Sequence, residues 1–195
     1  MELKLFKPFG PSILQAKIPN EIVCKLNDYT DQIIEDNKKK KLLNHGKKLA
    51  GDVSQEFKLE QDFAINSGWA NFLASCVQEW IKMVTGRKIQ KFEMLNSWIV
   101  RQFKNEYNPI HYHTGDISGV GYLKLPSNMG ETLQKDKKIN HNGKLILIDG
   151  SKKLFCSPTY AITPKVGDFY LFPSYLMHTV YPFSNTDEER RSVSF

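Results

Sequence analysis

The chain is sparing with the residues that build covalent or metal frameworks. Its 195 residues include only three cysteines and five histidines. Cys24, Cys76 and Cys156 are odd in number, far apart and never arranged as C-x-x-C, which argues against a disulfide framework and against a zinc-thiolate site. No stretch approaches the roughly 18 apolar residues of a membrane span. The opening "MELKLFKPFGPSILQAKIP" has no unbroken apolar core of signal-peptide length. These absences lead us to expect a reducing, cytoplasmic setting without membrane contact.

What is present reads as one globular domain. A hydrophobic content of 41% with 25% charged residues is enough to fill a core, so disorder is not favoured. The length fits a single domain over 1–195. The net charge of +6 sits largely in local lysine runs, "NKKKK" at 37–41, Lys47, Lys48, Lys135, Lys137, Lys138, Lys152 and Lys153. No aromatic stacking pattern is interleaved with them, so solvated loops and helix ends are favoured over a nucleic-acid surface. An acidic partner stays open.

Hydrophobic spacing divides the chain in two. In "PNEIVCKLNDYTDQIIEDNKKKK", Ile22, Val23, Leu26, Tyr29 and Ile33 recur at helical spacing after a start at Pro19 and Asn20. In "NSGWANFLASCVQEWIKMVTG", Trp69, Phe72, Leu73, Cys76 and Trp80 share one face between a cap near Asn66 or Ser67 and a stop at Gly86. The stretch between the two helices, "NHGKKLAGDVSQEFKLEQD", reads as polar and irregular. From residue 88 the pattern changes to short runs rich in Val, Ile, Tyr and Phe: "KIQKFEMLNSWIVRQF", "ISGVGYLKLP", "KLILID", "TYAITP", "GDFYLFP", "HTVYPF" and "RRSVSF". Helices followed by many strands predict a mainly β fold, a jelly roll over 88–195 with a helical support region over 1–87 packed on one sheet. The polar insertion at 125–144 has the length of a lid or a disordered loop.

The candidate chemistry gathers in three places. In "NPIHYHTGD", His111 and His113 are two apart, so an extended chain presents both imidazoles to one ion, and Asp116 follows Gly115 where the chain can turn back. In "FPSYLMHTVYPF", His178 sits among bulky apolar residues, and a buried histidine needs a partner, of which a metal is one. In "ERRSVSF", Arg190 and Ser192 share a strand face and could bind a carboxylate, unless Arg190 lies in solvent, paired with Glu188 or Glu189.

With these residues in place, "HYHTGDISGVGYLKLP" and "FPSYLMHTVYPF" followed by "RRSVSF" resemble the small microbial and phage-type branch of the iron(II)- and 2-oxoglutarate-dependent oxygenases. The resemblance covers about residues 90–195, and more weakly the "LFKPF" start and the first helix. It rests most on the residues around His178. It implies a double-stranded β-helix holding Fe(II) by two histidines and a carboxylate, with 2-oxoglutarate as co-substrate and O2 as oxidant. Carried over, His178 is the distal metal ligand, Arg190 with Ser192 holds the remote carboxylate of 2-oxoglutarate, and Tyr122 is a further contact.

The proximal ligands admit three frames, because H-x-D spacing from His111 falls on His113 and from His113 falls on Gly115. The set favoured here is His113, Asp116 and His178, with His111 as a supporting residue or substitute ligand. Asn96, Trp98 and Tyr122 are candidate pocket residues, and Arg101 lies near the motif. The implied reaction hydroxylates a C–H bond of a peptide or protein side chain, or of a small metabolite, with release of succinate and CO2. The 125–144 insertion and the basic surface could close over an extended chain, and the helical layer could pair with its twin in a homodimer. Two other readings stay open: a cupin-like metal-binding protein without oxygenase activity, and a basic nucleic-acid-binding accessory protein.

Overall fold

A computed structural model describes residues 2–6, 10–132, 134 and 136–195. Lys135, Leu133 and the last residues of the "LFKPF" start therefore lie outside the described residues. Along the chain run β1 (Leu3–Phe6), β2 (Ile13–Lys17), α1 (Asn20–Glu35), α2 (Asn37–Leu42), β3 (Gln55–Lys58), α3 (Gln61–Asn66) and α4 (Trp69–Thr85). They are followed by β4 (Trp98–Gln102), β5 (Asn108–His111), β6 (Ile117–Lys124), β7 (Leu145–Ile148), β8 (Thr159–Ile162), β9 (Asp168–Pro173), β10 (Met177–Val180) and β11 (Arg190–Ser194).

All strand pairs are antiparallel and form two sheets, β1-β2-β9-β6-β11-β4-β3 and β5-β10-β7-β8. The eight strands after residue 88 divide between them as the expected double-stranded β-helix, with the larger sheet backed by helices. One core lies between helices and large sheet, with Leu26, Ile33, Trp69, Leu73 and Cys76 against Ile99, Phe169, Leu171 and Val193. A second lies between the sheets, around Tyr122, Leu145, Leu147 and Phe172. Each large apolar side chain so buried contributes roughly 1.5–3 kcal/mol.

The two expected helices form as α1 and α4, and α4 ends at Gly86 in the left-handed conformation that a glycine takes without strain. The lysine run 37–41 is helical, because the Asp36 side chain caps it by accepting from the backbone N–H groups of Lys38 and Lys39. Three strands from the first 87 residues extend the large sheet; β3, within the stretch read as irregular, pairs along β4. Conversely, the expected strand over 88–103 is confined to β4, and residues 88–96 join no sheet. Among the described residues no helix is long and apolar enough to cross a membrane.

The insertion at 125–144 carries no helix or strand among its described residues. The side-chain amides of Asn140 and Asn142 donate to the Gly130 and Met129 carbonyls and fold it onto itself. Backbone bonds from Ser184 to Met129 and from Gly143 to Pro182 tie it down. It joins the ends of β6 and β7 nearest Arg190, whose neighbour Arg191 pairs with Lys124, and not the ends beside the histidines.

Candidate active site

Strand alternation selects what enters the space between the sheets. On β11, Arg191 and Val193 face the helices, where the Arg191 guanidinium bonds Asn27 and Asp31 of α1. Arg190, Ser192 and Ser194 face the opposite way, into a narrow cavity that also reaches Tyr122, Trp98, Asn108, His111, His113 and His178. The arginine and the histidines therefore line one cavity.

At its outer end, His178 of β10 lies directly across from His111 of β5. Ring nitrogens of His111, His113 and His178 all fall within 4.8 Å of one another, the one cluster of its kind among the described residues. His178 Nε2 and His113 Nε2 are 3.2 Å apart. The Nδ1 of His178 faces the Leu176 carbonyl at 2.9 Å, and the Nδ1 of His111 faces the Pro109 carbonyl at 2.7 Å. A carbonyl oxygen can only accept, so both Nδ1 atoms carry the proton, which leaves the Nε2 atoms as the nitrogens available to a metal. Burial, reinforced by the neighbouring His111, pushes His178 down to about 3 and His113 down to about 4. His113 and His178 are thus neutral near pH 7, the state in which imidazole binds a metal. Three ring nitrogens gathered this closely fit a divalent cation.

Asp116, expected as the carboxylate ligand, is not in this group. Gly115 takes a left-handed φ of +89°, and the turn it makes carries Asp116 onto an exposed adjoining surface. Its backbone carbonyl accepts from the Ser174 N–H. His111 joins His113 and His178 in the cluster instead, because His111 and His113 keep the same side of an extended segment while Asp116 lies beyond the turn.

At the inner end, Arg190 is 2% exposed, and its Nε and Nη2 have no hydrogen-bond partner. The guanidinium lies 5.1 Å from the centre of the Tyr122 ring, and the buried Tyr122 hydroxyl is also unpartnered. Burial lowers the Arg190 pKa from its ordinary value and raises that of Tyr122 to about 12. Neither acidic neighbour in sequence reaches Arg190. Glu189 lies on the other face, bonded to Arg101 and Arg191, and Glu188 accepts from Ser127. A buried cation with open donors, beside a phenol and the buried Ser192, fits a carboxylate group supplied from outside.

Of the other residues singled out in the sequence, Trp98 and Tyr122 line the cavity, Asn96 lines the adjoining cleft, and Arg101 points to Gln55 and Glu189. Asn108 was not expected; a single polar residue beside a proline gives no signal of its own. Nor was the cleft wall formed by His45, Lys48 and Lys58, which β3 and its preceding turn bring in from the N-terminal half.

Comparisons agree with this geometry. Residues 96–195 match the model of the family described as "Putative 2OG-Fe(II) oxygenase". No curated protein matches the chain in sequence. Among solved structures, a Pseudomonas putida prolyl-4-hydroxylase superposes with a TM-score of 0.60 at 17% identity, covering 93% of this chain and 90% of that one. A viral collagen prolyl hydroxylase from Paramecium bursaria Chlorella virus-1, in complex with 2OG, gives 0.53 at 14% identity over 92% and 93% of the two chains. A Trichoplax adhaerens prolyl hydroxylase, bound to a peptide fragment of hypoxia inducible factor, gives 0.54 at 15% identity over 92% and 81%. At these identities the likeness is one of fold.

Proposed function

For this chain, which belongs to the 2OG-Fe(II) oxygenase family and so uses Fe(II), 2-oxoglutarate and O2, we propose that His111, His113 and His178 hold the metal and Arg190 anchors the co-substrate. The observation that carries the reading is Arg190: a buried guanidinium without an anionic partner, in the cavity that the three histidines close. Bound iron would supply the activation of O2 that splits 2-oxoglutarate into succinate and CO2 and places one oxygen atom in a substrate C–H bond.

The chain's own residues do the rest. The Leu176 and Pro109 carbonyls hold two imidazoles in the tautomer that binds metal. Arg190, with Ser192 and the Tyr122 hydroxyl, fixes the far carboxylate, so the keto acid can enter in one orientation only. Val100, Leu145, Phe172 and Val180 keep the cavity wall apolar and exclude water around the reacting atoms.

A peptide or protein side chain is the substrate class we favour, supported by the prolyl hydroxylases that share the fold and by the broad cleft beside His113. A cytoplasmic setting is supported by the exposed thiols of Cys24 and Cys156, which a reducing compartment preserves.

The test is an anaerobic titration of the metal-free protein with Fe(II) and then 2-oxoglutarate. A weak visible charge-transfer band that bleaches when oxygen is admitted is the expected result. Iron binding without a band would remove Arg190 as the keto-acid anchor.

A further inference from the structure

Beside the histidine cavity, and sharing Trp98 and His113 with it, opens a cleft of about 890 Å³. One wall is the segment 88–96. Its neighbours are tied down, Arg87 by the Thr85 hydroxyl and Ser97 by the Leu59 N–H. Among the described residues, however, no backbone N–H or C=O of 88–96 is in a hydrogen bond. The segment is held by its side chains, since Ile89, Phe92 and Met94 pack on the helical core while Lys91, Glu93 and Leu95 stay exposed. An anchored run of chain with open donors and acceptors can pair main chain to main chain with an extended polypeptide, as an added strand does at a sheet edge.

The lining contributed by the N-terminal half carries charge. Lys48 and Lys58 are exposed and form no ion pair among the described residues, whereas Lys91 is neutralised by Glu93 at 2.9 Å. Their two charges act at one place: His45, in the same lining, is lowered from its ordinary pKa by burial and then by Lys48 and Lys58. Leu95, Ile117 and Phe195 give the floor an apolar surface. Glu93 and Asp116 lie in the same lining, which disfavours a phosphate backbone along the cleft but not a single carboxylate opposite the lysines.

We infer that the cleft receives the substrate as an extended polypeptide, paired main chain to main chain with residues 88–96 and carrying an acidic side chain to Lys48 and Lys58, with the residue to be oxidised at the His113 end. This deepens the oxygenase reading and rests on it for the position of the reacting atom alone.

The experiment selects binders from a displayed library of short random peptides, using protein loaded anaerobically with Fe(II) and 2-oxoglutarate. Selected peptides are expected to be rich in Asp and Glu. The double variant Lys48→Glu, Lys58→Glu is expected to bind them about tenfold more weakly and to select Lys and Arg instead. N-methylation of alternate amides in a selected peptide is expected to weaken it by a similar factor.

Absence of a charge preference, the same preference in the double variant, indifference to N-methylation, or tighter binding of a single-stranded oligonucleotide than of any peptide would each overturn the inference. The iron–keto-acid band recorded on the same samples separates the two readings. A band with no peptide selectivity sinks this inference alone, and a missing band sinks the oxygenase site whatever the peptides do. A band retained by the double variant shows that its fold and cavity are intact.

Discussion

Arg190 keeps a full charge where the folded chain offers it no counter-ion, so its stability and its ligand affinity pull in opposite directions. Arg190→Met should raise the denaturant midpoint of the metal-free protein while weakening 2-oxoglutarate by about 2–4 kcal/mol, with little change in metal affinity. Equal losses of metal and co-substrate in paired titrations would indicate damage to the fold instead. The histidines set a pH dependence whose sign is fixed. Folded His113 and His178 titrate near 4 and 3, below the ordinary 6.5, so the unfolded chain binds more protons between those values. The metal-free protein should therefore lose stability as the pH falls from about 6.5 towards 4, read as a lower urea midpoint at pH 5 than at pH 7. The burial of His178 and Arg190 between the sheets was legible in the sequence because each stands in a distinctive run. Which of His111 and Asp116 lies beside His113 and His178 was not, because one left-handed glycine decides which side of the chain the later residue takes.

At the scale of elements, β11 serves two environments at once. Burial pulls the Glu189 carboxyl upward, but its bonds to Arg101 and Arg191 overcome this and hold it below its ordinary pKa. The same carboxylate connects β4 to β11, and Arg191 continues the connection to α1 through Asp31. Glu189→Gln leaves the largely buried Arg101 without a carboxylate partner and Arg191 with Asp31 alone, and should cost about 3 kcal/mol in chemical denaturation. On β6, a methyl group at Gly119 would meet the Tyr170 carbonyl at 2.7 Å and the Phe195 ring at 2.8 Å. Gly119→Ala should accordingly destabilise by about 2 kcal/mol in the same assay. Helices α1 and α4 were legible because a one-sided apolar stripe at helical spacing has few other solutions. The alternation in "KIQKFEML" predicted a strand that does not form, since a strand needs a neighbour and the chain provides none there. The short β3 shows the reverse case, where a weak pattern is completed by pairing with β4.

For the whole molecule, two sheets form a container whose ends differ, neutral imidazoles at one and a guanidinium at the other. Metal and 2-oxoglutarate bind only the folded form, so each should stabilise it by mass action, about 2.7 kcal/mol at a hundredfold excess over Kd. Stepwise melting-temperature gains on adding Mn(II) and then 2-oxoglutarate, both reversed by a chelator, would check this without turnover. The two-sheet architecture was legible from the number and spacing of β-rich runs. The cleft wall was not, because His45, Lys48 and Lys58 reach the site only through long-range pairing of β3 with β4.

The alternation along β11 also constrains which insertions the gene can tolerate. Deleting or adding one residue within Arg190–Ser194 would exchange the strand's faces, turning Glu189 or Arg191 inward and Arg190 toward the helices. A shift that brought Glu189 inward would leave a cavity that repels carboxylates and attracts cations. Frame-preserving changes of a single codon at this strand should therefore be far rarer among functional variants than changes in the 125–144 insertion, where length carries no parity.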